Sequence, residues 1–263
     1  MRAYALLLAA SLAIVGPSAE ARPARVASLN LCTDELLLAL ANDDQILSVT
    51  HLSKQSAETP YWQKARRFRT NDGSLLSVAA QKPDLVLTMG GGVRDRASIA
   101  RRLHIRVLDL PYPQRLADIE ASIAKVAIAL GQPARGHQLI GQLRGLERSA
   151  PARAVDTIWL GGGGRTVPAS GLAAEWMRLA GLRQRAFNGD RVSLEQLLVA
   201  PPRVLLRSDY RAGEYSGEQR WMTHPLARRA RAGKTLATDG RRWTCMGPSL
   251  IPEILRLRRE LAE

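Results

Sequence analysis

The chain has 263 residues, 46% of them apolar, which excludes a disordered segment and is enough for one large domain or for two lobes with their own cores. Lys and Arg number 38 against 24 Asp and Glu, a net charge of +14. In a cytosolic protein such an excess suggests nucleic acid; on an exported one it reads as a solvated arginine-rich surface or as attraction to an anionic solute.

The N-terminus decides between these settings. Arg2 is followed by an apolar run over 3–15, then Gly16, Pro17 and the stretch Ala19-Glu20-Ala21. A charged start, an apolar run too short to span a bilayer and an A-x-A ending make a secretion signal, with cleavage expected after Ala21. The chain is therefore expected in the periplasm, with no nucleic acid as partner. No later apolar run is long enough for a membrane helix.

Strand-like and helix-like segments then alternate. Residues 25–29 read as a strand, 33–41 as a helix with Thr33 as N-cap, and 46–50 as a second strand. An apolar run at 84–88 follows Pro83 and leads through Gly90-Gly91-Gly92 into a helix ending near Leu103; 106–109 is the next strand. From Pro113 to Ser149 only helical periodicity is seen, broken at Gly131-Gln132-Pro133. Pro133 suits a first helical turn, and Leu139, Leu143 and Leu146 then mark an apolar stripe. Beyond Pro151 the alternation resumes, with strands at 155–160 and 204–206 and helices at 172–180 and about 248–261. The expected fold class is α/β, two lobes with mainly parallel sheets joined by a long backbone helix. The boundaries are a signal at 1–21, an N-terminal lobe at 22–131, a linking helix at 132–150 and a C-terminal lobe at 151–263.

One internal repeat relates the halves. The segment from Ser74 through Pro83 to Leu87 aligns without gaps with that from Ser193 through Pro202 to Leu206. Each reads as an N-capped helix, a proline that stops it and a buried strand.

Open α/β sheets bind ligands beyond the carboxyl ends of their strands. That rule selects Cys32, Thr33, His51, Gly91 and Arg94 in the first half and Gly162, Arg165, Tyr210, Arg242, Trp243 and Cys245 in the second. Guanidinium forks suit anionic groups, and Trp243 either stacks on a planar ligand or packs in the core. The glycines at 161–164 lack the phosphate-loop pattern and read as a tight turn. His51 has no converging set of donors, so no metal site is expected. Cys32 and Cys245 leave three outcomes open: a disulfide between the lobes, a soft thiolate pair assisted by His51 or Met246, or two inert thiols. No nucleophile elbow, zinc-protease motif or C-x-x-C is present, and no catalytic residue is assigned.

Several segments together resemble a known family. They are Arg25-Val-Ala-Ser-Leu with Thr33-Asp-Glu-Leu36, Gln81-Lys-Pro-Asp-Leu-Val-Leu-Thr88, Ser193-Leu-Glu-Gln-Leu197, and Trp243 four residues before Gly247-Pro248. In that order they resemble the helical-backbone periplasmic binding proteins of ABC importers for cobalamin, iron–siderophore complexes and haem. The resemblance implies a monomeric, non-enzymatic protein without a resident cofactor, which captures a metal complex between its lobes. It also implies peripheral contact with an inner-membrane permease and its ATPase. Glu195 matches the second-lobe docking acid; the repeat puts Leu76 at the first-lobe position, leaving Asp72 as the nearby substitute. Two other readings stay open, a binding-only sensor or scaffold of the same fold and a soft-metal binder using thiolate ligands.

Overall fold

The computed structural model describes residues 22–94, 97–211 and 233–263, with single positions at 213, 217, 220, 221, 224 and 225. The expected secretion signal lies outside the described residues. Strands β1 (Val26–Ser28), β2 (Ile46–Thr50), β3 (Arg69–Asn71), β4 (Leu85–Met89) and β5 (Arg106–Leu110) form one sheet in the order β3-β2-β1-β4-β5. Strands β6 (Val155–Leu160), β7 (Leu182–Gln184), β8 (Val204–Ser208) and β9 (Lys234–Thr238) form a second in the order β7-β6-β8-β9. Every pairing is parallel. β1 and β4 are buried at every residue, because helices cover both faces of the sheet, and their sequences run apolar without alternation.

The helices are α1 (Leu31–Leu40), α2 (Trp62–Ala65), α3 (Leu75–Ala79), α4 (Ala97–Arg102), α5 (Leu116–Ala129), α6 (Pro133–Arg148), α7 (Leu172–Leu179), α8 (Leu194–Val199), α9 (Arg242–Cys245) and α10 (Leu250–Ala262). The repeat is real in three dimensions. Ser74 caps α3 and Ser193 caps α8, each hydroxyl accepting from the N–H three residues on, at 3.3 Å and 3.0 Å. β4 and β8 follow at matching positions, each paired with the first strand of its sheet. The order β2-β1-β4-β5 therefore corresponds to β7-β6-β8-β9, with β3 an addition to the first lobe.

Each sheet buries one face in a small core of its own. Leu75, Val78 and Val86 belong to that of the first lobe, and Leu197, Ile158 and Leu205 to that of the second. The opposite faces meet in one large cluster that runs from Val26, Leu37 and Leu87 through Ile123, Val126 and Leu143 to Trp176, Leu206 and Leu257. α5 and α6 are the middle of that cluster and touch both lobes. At the start of α5, Leu116 N–H donates to Glu175 of α7 at 2.7 Å, while Gln45 of the first lobe donates to Leu130 O at its end, at 2.9 Å. In α6, Arg135 donates to Leu40 O and Ala41 O at the end of α1; at its far end Leu146 O accepts from Arg258 of α10 at 2.7 Å. A 16-residue helix is about 24 Å long, so α6 is a rigid connection rather than a tether.

The observed elements differ from expectation in three places. α1 begins at Leu31 with Asn30 as N-cap, its Oδ1 accepting from Cys32 N–H at 2.8 Å. Thr33 is inside the helix, its hydroxyl turned back on Asn30 O at 3.0 Å, so it caps nothing. The strand expected at 204–206 runs on to Ser208 in β8. The strands β3 and β7, three residues each with sequences RTN and LRQ, carry too little apolar signal to be read as strands, and β9 alternates buried and exposed positions.

The α5–α6 pair rests on one small residue. A Cβ at Gly136 would lie 2.5 Å from Cβ of Ala127. Alanine is the better helix former by about 1 kcal/mol, but the clash outweighs that gain. Gly136→Ala is expected to lower stability by about 1–2 kcal/mol in denaturant unfolding, and Ala127→Gly in the same chain to recover part of it.

Candidate functional site

Strand order reverses between β1 and β4 in one sheet and between β6 and β8 in the other. The loops leaving these strands are where an open parallel sheet takes a ligand. Their side chains reach across from lobe to lobe.

At the centre Cys32, in the first turn of α1, is bonded to Cys245, the last residue of α9, with Cα atoms 5.1 Å apart and 213 positions between them in sequence. Of the three outcomes open for this pair, the disulfide is the one observed. The thiolate-binder reading is overturned, because neither sulfur remains as a thiolate donor. Among the described residues no group of three or more His, Cys, Asp or Glu side chains could hold a metal.

Two buried carboxylates follow Cys32 on α1. Glu35 Oε1 accepts the N–H of Ser249 at 2.8 Å, just before α10, so a first-lobe acid grips a second-lobe helix start. Any Cβ at position 247 would meet that oxygen at 2.6 Å, so glycine is required there. Burial pushes the Glu35 carboxyl up, against the opposing pull of Ser249 and Arg242. Asp34 instead accepts from Thr50 N–H at 3.1 Å and from the hydroxyls of Thr50 and Ser53 at 2.5 Å and 2.6 Å. These bonds hold the turn after β2 that carries the exposed His51. Burial still dominates and pushes Asp34 up to about 6.

A second bridge lies further along. Tyr210 O–H donates to Glu58 Oε2 at 2.9 Å, Arg211 pairs with the other oxygen of Glu58, and Arg241 Nη1 donates to Ser56 O at 2.8 Å. Asp239 holds Arg241 at 2.7 Å and Arg242 at 3.1 Å. Burial raises the Asp239 carboxyl, but the two guanidinium groups prevail and hold it below the usual range. Arg242 is further fixed by donation to Ser249 O at 2.6 Å.

The other expected site residues fall as follows. Trp243 is buried, its Nε1 donating to Thr238 Oγ1 at 2.8 Å and its ring edge-on to Trp159 at 6.0 Å, so it packs in the core and offers no stacking face. Thr33 is fully buried, its hydroxyl within hydrogen-bond distance of Ser28 Oγ at 2.7 Å and donating to Asn30 O at 3.0 Å. Gly91 and the exposed Arg94 share the turn after β4, Gly91 N–H donating to Asp109 at 3.1 Å. Gly162 lies in a single 3-10 turn after β6, and the exposed Arg165 beside it pairs with Asp190 at 3.7 Å. Glu195 is exposed in the first turn of α8. Asp72 is exposed just ahead of α3, its carboxyl held at about 2 by hydrogen bonds from Ser74 and Ser77. Glu35, Glu58 and Arg211 were not anticipated. An acid pair ahead of a leucine run, as in Asp34-Glu35-Leu36, is a usable signal of buried carboxylates; nothing in the sequence around Glu58 marks it.

The family model for periplasmic binding proteins matches residues 26–236. This chain belongs to that family. The binding protein also superposes on solved structures at low identity. The vitamin B12 binding protein BtuF of Vibrio cholerae matches with a TM-score of 0.65 and 18% identity over 91% of this chain and 97% of that one. The periplasmic haem-binding protein BhuT, in complex with two haems, gives 0.65 and 19% over 92% and 98%. A periplasmic solute binding protein from Veillonella parvula gives 0.68 and 17% over 90% and 80%. No curated protein sequence matches the chain.

Two measurements check this site. Unfolded, unreduced protein is expected to show no titratable thiol, and replacing both cysteines with serine to cost about 2–5 kcal/mol, since the bond closes a loop of 213 residues. For Asp34, the folded state binds more protons than the unfolded chain between about pH 4 and pH 6. Its contribution to stability therefore falls as pH rises through that interval. Asp34→Asn is expected to gain on the parent protein between pH 4 and pH 7, by up to about 3 kcal/mol, in urea unfolding.

Proposed function

We propose that the protein is the periplasmic substrate-binding component of an ABC importer. It takes a metal complex of the iron–siderophore, corrinoid or haem class between its lobes and delivers it to a permease driven by an ATPase. The observation that carries this reading is the opposition of two strand-order reversals, β1/β4 and β6/β8, across a seam joined at Cys32–Cys245. Two proteins with the same fold are described as binding vitamin B12 and haem, both macrocyclic metal complexes. The protein acts as a monomer, with lobes at 22–131 and 151–263 flanking the link at 132–150, and reaches the periplasm through the signal at 1–21.

In this reading His51, Gly91 and Arg94 line the crevice from the first lobe and Gly162, Arg165 and Tyr210 from the second, with the disulfide between them. Arg242 and Trp243 support the wall rather than touch the cargo, because both are held by neighbours in their own lobe. Glu195 and Asp72 serve as permease contacts; both are exposed, Glu195 in the first turn of α8 and Asp72 just ahead of α3.

Titration with haem, cyanocobalamin and ferric siderophores, followed by tryptophan fluorescence, tests the reading. At least one is expected to quench at micromolar concentration or below, and silence from all of them overturns the assignment. Glu195→Ala is expected to leave that affinity unchanged while reducing uptake by whole cells several-fold; a loss of affinity instead removes Glu195 from the docking surface.

A further inference from the structure

Resting on the solute-binding reading, we infer that Tyr210, Arg211 and Arg241 form an anion grip for a carboxylate or similar group of the cargo, and that Glu58 is the built-in stand-in for that group. The first argument is the form of the contact. A phenol O–H and a guanidinium take the two oxygens of one carboxylate, Tyr210 on Oε2 at 2.9 Å and Arg211 on Oε1, with Arg241 beside them on the carbonyl of Ser56 at 2.8 Å. Convergent donors of this kind are how proteins recognise a carboxylate held by a ligand.

The second argument is that donors and acceptor belong to different lobes. The donors leave β8 and β9; Glu58 sits in the loop after β2. Each hydrogen bond therefore spans the crevice and orders neither lobe internally.

The third is that Arg241 and the loop carrying Tyr210 are held without Glu58. Asp239 holds Arg241 through two oxygens, at 2.7 Å and 2.9 Å. Asp209 accepts from Gly240 N–H at 2.8 Å, which locks the two donor loops together, and Ser208 Oγ accepts from Tyr210 N–H at 3.3 Å. The Glu58 carboxylate, by contrast, has no other hydrogen bond among the described residues. Arg241 and the Tyr210 loop are thus in place before any occupant arrives, which lowers the cost of binding one there. Exposure agrees: the Arg211 side chain is 43% exposed and that of Glu58 7%, so a solute approaching from solvent meets the cation first.

An anionic cargo has to displace Glu58, which lowers its apparent affinity by the fraction of molecules with the grip free. Glu58→Gln keeps the shape and removes the competing charge. Arg211→Gln removes a donor. Haem, with its two propionates, its dimethyl ester and cyanocobalamin serve as probes, titrated by fluorescence against the full-length protein and both variants, with circular dichroism to check the fold.

The expected result is haem binding that tightens about tenfold in Glu58→Gln and weakens about tenfold in Arg211→Gln, with the ester and cyanocobalamin indifferent to both changes. Three results overturn the inference: haem affinity unmoved by either variant, all probes shifted alike by both, or cyanocobalamin bound with haem ignored. All three leave the solute-binding reading standing. If no probe binds the parent protein or either variant, both ideas fall together.

Discussion

The constraint on which the molecule depends is a shared core. One face of each sheet is buried against α5 and α6, and the apolar cluster there is continuous from Leu37 to Leu257. Pulling the lobes apart would expose that surface at a cost of about 25 cal/mol for each square ångström. The lobes are therefore held against parting. Where many two-lobed binders swing on a flexible hinge, this one has its lobes packed on a two-helix strut and tied by Cys32–Cys245.

Around the strand tips, first-lobe groups accept and second-lobe groups donate: Glu35 receives Ser249 N–H, Glu58 receives Tyr210 and Arg211, and the Ser56 carbonyl receives Arg241, whereas at the start of α5 Leu116 N–H donates the other way, to Glu175. Buried carboxylates are costly unless their oxygens are satisfied, so each of these acids depends on the opposite lobe for its partners.

Much of this was legible in the sequence because it rests on local rules. The apolar strands 46–50 and 155–160 were read with the bounds observed, and the Ser–helix–Pro–strand repeat marks equivalent positions in both sheets. The α5–α6 break at Gly131-Gln132-Pro133 follows from glycine and proline chemistry. The α1 cap is a local misreading, and most of the other losses come from long-range pairing. Thr33 looks like a cap until Asn30 is seen to have the cap geometry, and Trp243 looks available until Trp159 and Thr238 are brought beside it. Cys32 and Cys245 left their pairing open because nothing local reports a distance across 213 residues. Glu58 needed Tyr210, 152 residues away, to acquire a meaning.

The Cys32–Cys245 bond also makes almost all of the described chain a covalent ring. A protease that cuts one exposed loop inside that ring opens it without dividing the molecule. The two pieces stay tethered at an effective concentration far above that of free fragments, so the shared core can re-form around the nick. A single backbone break in such a loop therefore leaves the molecule in one piece.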